Sequence, residues 1–343
     1  LILDKSEIGN SFLDWPKNME MITPSFPSNA FGQMDLNSIF ESTSPAFAFN
    51  KEHLTGDEYS KYLDAVVDYF EINGHTNTEV KKVNKKNNGW ILETNKEKVY
   101  CKYLIWAAGE FQNPQINNIT GAKHCIHSSL IRNPDELKGN EFVIVGGYES
   151  GVQIASNLIK NNKKVKLINP HNIDEKSTSD PSKVLSPYTH SKYSDLKKSN
   201  LYTEIIGEVS KVSKDNDCYK VHLNDKIVLE TEEKPICATG FSLVKEPIEE
   251  FITYREDGSP KLIEQTDEFF GHENFYLAGP AVKHEDHIFC FIYKFRQRFG
   301  VIAENILRKE KYYENDISNL VEKWKSNGMY LSDLSCCDEE CVC

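Results

Sequence analysis

The stretch Glu141-Phe-Val-Ile-Val-Gly-Gly-Tyr-Glu-Ser-Gly151 decides the fold of this chain. Its apolar run ends at a glycine pair, which predicts a buried parallel strand that turns into a helix. Glycines at such a turn let the backbone approach a pyrophosphate, whose charge then lies against the free N–H groups of the helix N-terminus. A further strand at 164–168 completes a βαβ unit. The helix is predicted from one apolar face, formed by Val152, Ala155, Leu158 and Ile159.

The turn matches the G-x-G-x-x-G fingerprint of dinucleotide-binding units in part. Gly146 and Gly151 fit the first and third glycines, whereas Tyr148 stands at the second position. Two interpretations stay open, a dinucleotide site and a Rossmann-like unit that binds no nucleotide. For the first, the residues expected to bind the coenzyme are Gly146, Gly147, Glu149, Ser150, Gly151 and Asn169.

The second strand of this unit ends at Asn169 and not at an acidic residue. A carboxylate there is the usual partner of the ribose 2′-hydroxyl of NAD, and its absence leaves room for a 2′-phosphate. The sequence therefore predicts NADPH as the coenzyme. Lys176 and Lys183 are the candidate cations for that phosphate.

Length and composition are those of an ordinary globular protein with room for two domains. The chain has 343 residues, of which 39% are hydrophobic and 27% charged. Its formal charge of −12 argues against nucleic acid or an anionic membrane as the main partner. No apolar run approaches the ~18 residues that a membrane span needs. We therefore expect a cytoplasmic protein.

A repeated pattern indicates two domains of one type. Strand-like segments separated by polar turns run through 79–109 and end at Ala107-Ala-Gly109, and the same order recurs over 208–240 and ends at Ala238-Thr-Gly240. Two meanders that each return into a glycine turn imply a duplicated architecture.

Other segments give plainer predictions. The span 15–50 is expected to be irregular and to line a pocket, and 171–193 is expected to be a loop. A helix over 57–70 should bury Tyr62, Val66, Tyr69 and Phe70. A helix over 287–307 should bury Ile292, Phe295, Phe299, Ile302 and Ile306. Lys294, Arg296 and Arg298 lie off that stripe, and they are expected either to be on the solvated face or to hold an anionic or dipolar ring edge at the strand-Gly-helix junction. His284-Glu-Asp-His287 is expected to be a solvated turn.

Nine cysteines divide into two groups. Five are predicted to be small apolar residues of strands or helices: Cys101, Cys125, Cys218, Cys237 and Cys290. The others crowd the end of the chain at Cys336, Cys337, Cys341 and Cys343. Such dense thiolates suit a soft metal ion or a metalloid, or thiol–disulfide exchange with a flavin, and an inert tail is the third interpretation.

Several motifs together resemble flavoproteins with two dinucleotide-binding domains, in which an NADPH domain interrupts an FAD domain. They are the glycine turn at 146–151, the turns at 107–109 and 238–240, and the Leu277-Ala-Gly279 junction. Within that group, Thr23-Pro24, Ser28-Asn29, Tyr59 to Leu63 and Phe111-x-Asn-Pro114 resemble flavin-containing monooxygenases. More narrowly, 21–31, 180–189, 292–299 and the Cys-rich end are similar to bacterial monooxygenase-like flavoproteins related to those found beside cation-efflux genes.

The resemblance implies an α/β fold with two Rossmann-like domains and bound FAD and NADPH. Residues 1–115 and 241–310 would bind FAD, 116–240 would bind NADPH, and 311–343 would form a terminal helix and the Cys-rich tail. The residues implied for FAD are Asp4, Thr23, Asn29, Gly109 and Gly279, with Asn29 also as the catalytic candidate.

The implied activity is reduction of FAD by hydride from NADPH, followed by activation of oxygen for a small-molecule substrate. An NADPH-dependent disulfide reductase and a metal(loid)-binding flavoprotein without turnover are the alternatives, and a homodimer is allowed for. Three departures bear on this. The FAD glycine loop is missing, as if the chain began one strand and one helix late. Lys123 stands where the monooxygenase fingerprint has glycine, and Tyr148 replaces the second NADPH-loop glycine.

Overall fold

Five parallel strands form the larger sheet of the protein. The computed structural model describes residues 1–26, 34–116, 119–173, 180–224 and 227–334. Across the sheet the strands follow the order β10 (Tyr202–Ile206), β9 (Lys164–Asn169), β8 (Glu141–Val145), β14 (Ile236–Cys237) and β7 (Ile126–His127). The predicted βαβ unit is confirmed, since β8 and β9 pair in parallel with Phe142 opposite Val165.

Seven α-helices occur in the described ranges. They are α1 (Asn10–Leu13), α2 (Pro45–Phe49), α3 (Gly56–Tyr69), α4 (Glu149–Lys160), α5 (Pro187–Leu196), α6 (Ile292–Lys309) and α7 (Glu314–Ser326). Most are amphipathic, and α4 buries Val152, Ala155 and Leu158, as its apolar face predicts.

Both predicted meanders are present as three-stranded antiparallel sheets. In each, the first turn has an asparagine with positive φ, 48° at Asn87 and 54° at Asn216, a conformation that asparagine tolerates well. The first sheet contains β3 (Val80–Lys86), β4 (Gly89–Thr94) and β5 (Lys98–Cys101); the second contains β11 (Val209–Asp215), β12 (Cys218–Leu223) and β13 (Val228–Thr231).

The remaining strands form short pairs. Two of the pairs are parallel: β1 (Ile2–Leu3) with β2 (Gly74–His75), and β6 (Leu104–Trp106) with β15 (Phe275–Leu277). Within the described ranges no strand joins these two pairs into one sheet. A hairpin of β16 (Lys283–His284) and β17 (His287–Ile288) leads into α6.

Separate apolar cores stabilise the two halves of the molecule. One lies between the first meander, β15 and the 248–252 segment around Trp90 and Phe275. Another lies between the larger sheet, α4 and α5 around Ile144 and Leu167. None of the helices in the described ranges is long and apolar enough to cross a membrane.

Three predictions about helices are wrong in detail. Tyr69 is 80% exposed, because the buried stripe of α3 follows Tyr59, Tyr62 and Val66 at helical spacing. The predicted loop over 171–193 contains the start of α5. The helix predicted over 287–307 begins only at Ile292, as α6, since 287–288 belongs to the hairpin.

Candidate functional site

The glycine turn after β8 requires its glycines for steric reasons. Gly146 has φ of 102°, and a Cβ on it would lie 2.3 Å from the carbonyl oxygen of Ala238. A Cβ on Gly151 would lie 1.8 Å from the carbonyl oxygen of Gly146. Both distances are far below van der Waals contact, so α4 packs directly onto the turn. This close approach sets the end of the helix at the carboxyl edge of the sheet.

Gly147 and Asn169 face each other across the same edge. A Cβ on Gly147 would lie 3.0 Å from Cγ of Asn169, the last residue of β9. Ligands of open α/β sheets bind beyond the carboxyl ends of the strands. The structure thus brings together the residues predicted for the coenzyme phosphates and for the ribose.

The first N–H groups of α4 are free to bind an anion. Those of Gly147, Tyr148, Glu149 and Ser150 have no acceptor among the described residues. Unpaired N–H groups at a helix N-terminus, together with the helix dipole, attract phosphate. We call the turn at 146–151 with these free N–H groups the cradle, and it has the donors that a pyrophosphate would need.

Tyr148 forms a hydrogen bond that links the cradle to residues 180–186, which we call the strap. The Tyr148 hydroxyl donates to the carbonyl oxygen of Val184 at 2.5 Å, and the Glu149 carboxylate accepts from the N–H of Ser186 at 2.6 Å. The tyrosine at the second fingerprint position therefore has a role of its own, because it holds the strap beside the turn.

The strap also contacts the helix that follows the hairpin. Lys294 of α6 donates to Asp180 Oδ1 and to Ser182 Oγ, both at 2.7 Å. This corrects the prediction that Lys294 lies on a solvated face. The strap consequently connects the larger sheet to α6. Lys183 is exposed on it, and Lys176 lies outside the described residues.

Glu149 has an unusual environment for a carboxylate. Burial raises its pKa, while the hydrogen bonds from Ser186 oppose that shift in part. The folded protein therefore holds the Glu149 proton more tightly than the unfolded chain does. The stability from this group is complete below its ordinary pKa of 4.5 and is lost as pH rises through the raised value.

Replacing Glu149 with glutamine should therefore stabilise the protein relative to wild type increasingly as pH rises above 4.5. The amide cannot ionise, and its oxygen can still accept from Ser186. Urea unfolding of both proteins across pH measures the difference. Glu322→Gln, at an exposed ion pair with Lys325, is the matched control. If the free energy of unfolding of Glu149→Gln differs from that of wild type by the same amount at every pH, the pKa of Glu149 is not raised in the folded protein.

The residues implied for FAD lie at other strand ends. Asp4 follows β1, and its Oδ1 accepts from the N–H of Ser6 at 2.8 Å. Gly109 and Gly279 have φ of 72° and 109°, and a Cβ on either would meet no atom within 4 Å. Open space beside two glycines at the ends of paired strands β6 and β15 is compatible with close approach of a ligand.

Other predicted site residues are buried or lie outside the described ranges. Thr23 is 7% exposed, and its carbonyl oxygen accepts from the Asn37 amide at 2.8 Å. Asn29 lies outside the described residues, as do Cys336, Cys337, Cys341 and Cys343. Their predicted roles stay predictions.

The single cysteines fit the prediction only in part. Cys125 and Cys237 are buried in the core of the larger sheet. Cys101 and Cys218 are half-buried. Cys290 differs, since it is exposed and lies in the turn between β17 and α6.

Sequence reasoning missed a buried charged network beneath the hairpin. Arg298 and Asp267 are both fully buried, and the guanidinium donates two hydrogen bonds to the carboxylate, from Nε at 2.9 Å and from Nη2 at 2.8 Å. His284 Nε2 lies 2.6 Å from Asp267 Oδ1. The prediction of a solvated turn is therefore wrong for His284, because this carboxylate anchors it.

Arg296 corrects the same prediction for α6. It is 4% exposed, and its NH1 donates to the carbonyl oxygens of Asp35 and Ser38, both at 2.6 Å. The cations of α6 are thus structural anchors for three different segments. The sequence of α6 alone could not reveal these roles, because the oxygen atoms that accept from the three cations belong to residues far away in sequence.

The match to a known family spans most of the chain. Residues 1–279 match the family model described as pyridine nucleotide-disulphide oxidoreductase. Among curated proteins, an uncharacterized oxidoreductase CzcO of Bacillus velezensis is 33% identical over 166 residues, which cover 47% of this chain and 45% of that protein. The match thus spans less than half of the length of that relative.

Solved structures share the fold at low sequence identity. Bacillithiol disulfide reductase Bdr (YpdA) of Staphylococcus aureus superposes with a TM-score of 0.72 at 20% identity and covers 90% of both chains. A flavin-containing monooxygenase of Stenotrophomonas maltophilia gives 0.64 at 12% identity, over 91% of this chain and 90% of that one. The predicted α/β architecture is confirmed.

Proposed function

Since the chain belongs to the pyridine nucleotide-disulphide oxidoreductase family, we propose that it is an NADPH-dependent FAD oxidoreductase of the flavin-containing monooxygenase type. It would reduce FAD with hydride from NADPH and then activate oxygen for a small-molecule substrate. The observation that supports this best is the cradle at the start of α4. Its glycines and free N–H groups suit the pyrophosphate of a dinucleotide.

We assign NADPH to residues 116–240 and FAD to residues 1–115 and 241–310. In the first part, Gly146, Gly147 and Gly151 with Glu149 and Ser150 surround the pyrophosphate, and Asn169 lies at the ribose. Asn169 carries no charge to repel a 2′-phosphate, which favours NADPH over NADH. The exposed Lys183 is the described candidate for contact with that phosphate.

In the second part, Asp4, Thr23, Gly109 and Gly279 are the described candidates for FAD, and Asn29 is the catalytic candidate. When bound, the flavin supplies hydride acceptance and reaction with oxygen. The chain would position the two cofactors relative to each other. The strap connects the coenzyme cradle to α6 through Lys294, and α6 follows the Gly279 junction. This link would hold the two proposed nucleotide sites in a fixed relation.

The test is a visible spectrum of the purified chain with added FAD, followed by anaerobic addition of NADPH or NADH. We expect bleaching that is faster with NADPH, and consumption of oxygen after air is readmitted. Failure to bind FAD, or bound FAD that NADPH does not bleach, would overturn the proposal for this chain.

A disulfide reductase is the second candidate, because the family description names disulphide substrates and a similar fold occurs in a bacillithiol disulfide reductase. It would use thiols of the Cys-rich end. Replacing Cys336, Cys337, Cys341 and Cys343 with serine should then abolish NADPH-dependent disulfide reduction while flavin bleaching persists. Full reductase activity in that variant would show that the terminal cysteines do not carry out the disulfide reduction.

Uptake of a soft metal ion that depends on these thiols, without NADPH consumption, would favour the non-catalytic alternative.

A further inference from the structure

A polar cleft of about 390 Å³ lies at the far end of α4 from the glycine turn. One wall is the segment 17–20 with Thr55 at the start of α3, and the other is formed by the C-terminal end of α4 and by Lys192 of α5. Lys160 is ten residues from Ser150 along α4, which places it roughly 15 Å from the cradle. The cleft is therefore separate from the proposed coenzyme site.

Cations outnumber carboxylates in this cleft, although the whole chain carries −12. Its lysines are Lys17, Lys160 and Lys192, and its acids are Glu20 and Asp135. Both acids are engaged. Asp135 Oδ1 accepts from the Asn161 amide at 2.8 Å, and Glu20 accepts from the Tyr188 hydroxyl and lies 3.6 Å from Lys192.

Two of the three cations lack a counter-ion. Neither Lys17 nor Lys160 has a carboxylate oxygen within 4.0 Å among the described residues. Amide groups of Asn18, Asn157 and Asn161 also line the cleft, and those of Asn18 and Asn161 already donate to Asp135. The unpaired ammonium groups are therefore the donors that this cleft offers to an oxyanion.

Lys192 is held in place on this cleft. Its ammonium lies 4.0 Å from the centroid of the Tyr188 ring, and His53 stacks on that ring at 3.9 Å. Burial lowers the pKa of Lys192, the negative charge of Glu20 opposes that shift, and the nearby positive charge of Lys160 adds to it. A bound anion would offset the repulsion between the ammonium groups of Lys160 and Lys192.

We propose that this cleft binds a small dianionic oxyanion, of phosphate or dicarboxylate chemistry, between Lys17, Lys160 and Lys192. Lys17 lies between Trp15 and Met21, which pack in a core formed with α3, whereas the other two lysines belong to helices that pack on the larger sheet. The anion would therefore bridge two parts of the molecule that have separate cores. This site is independent of the proposed oxidoreductase activity.

The test is calorimetric titration of the full chain with inorganic phosphate and with malonate, against chloride at equal ionic strength. We expect saturable binding that weakens about tenfold in Lys160→Ala, since one charged contact is lost. Lys17→Ala should weaken it in the same direction. Lys198→Ala, which removes an exposed lysine paired with Asp195, should leave the Kd unchanged. The two probes distinguish a phosphoryl group from a dicarboxylate.

A variant that binds the anion more tightly than wild type shows an effect on binding, because damage to the fold would weaken binding. Glu20→Gln removes a negative charge from the cleft, while its amide oxygen can still accept from Tyr188, so the Kd should fall by about threefold. The proposal is overturned if neither probe binds beyond chloride. It is also overturned if both lysine variants keep the wild-type Kd, since the anion then binds elsewhere, for example at the glycine turn.

Discussion

Replacing Gly151 with alanine should weaken NADPH binding by about 100-fold, because the coenzyme cradle cannot keep its geometry. The added Cβ would lie 1.8 Å from the carbonyl oxygen of Gly146 and 2.9 Å from its carbonyl carbon, and both atoms are backbone. Relief requires α4 to move away from the turn by more than 1 Å. That movement displaces the free N–H groups of Gly147 to Ser150 from the pyrophosphate.

Fluorescence titration with NADPH measures the loss. Gly74→Ala is the matched control, since a Cβ at that exposed glycine meets only the carbonyl oxygen of Ile72 at 3.9 Å. Circular dichroism at the same concentrations shows whether the variant is folded. A folded Gly151→Ala protein with wild-type affinity would exclude the cradle as the coenzyme site.

Replacing Asp267 with asparagine should lower the free energy of unfolding by about 3–5 kcal/mol, because it leaves the Arg298 charge buried without a counter-ion. Both side chains are fully buried, and the carboxylate also anchors His284 of the hairpin. Asp267 has φ of 59°, a conformation that asparagine also tolerates, so the change isolates the charge from backbone strain.

Urea unfolding measures this loss. Asp195→Asn is the control, because Asp195 and its partner Lys198 are each 74% exposed and such a pair contributes under about 1 kcal/mol. If the single variant does not fold, Asp267→Asn combined with Arg298→Met should restore part of the stability. A loss below about 1 kcal/mol for Asp267→Asn would show that Arg298 finds other compensation.

Local sequence patterns predicted the elements that position the coenzyme site. The apolar run before Gly146 and the apolar face of α4 are signals within one βαβ unit, and the structure has both. The meanders were equally local, since their turns at Asn87 and Asn216 favour positive φ. Each of these elements forms from contacts between residues close in sequence.

Long-range contacts explain what the sequence did not reveal. Arg298 binds a carboxylate 31 residues away, and Arg296 binds carbonyl oxygens 261 and 258 residues away, so a helical wheel alone placed them on the solvated side. The start of α5 is different, because Ser186 as N-cap before Pro187 is a recognisable helix signal. The roles of Asn29 and of the terminal cysteines stay predictions.

The central claim is that the N-terminus of α4 binds the coenzyme pyrophosphate. Amide hydrogen exchange with and without NADPH tests it most directly, because the N–H groups of Gly147, Tyr148, Glu149 and Ser150 have no acceptor within the described part of the protein. We expect these amides to exchange rapidly in the free protein and to become protected at saturating NADPH. Saturable NADPH binding that leaves their exchange unchanged would contradict the claim.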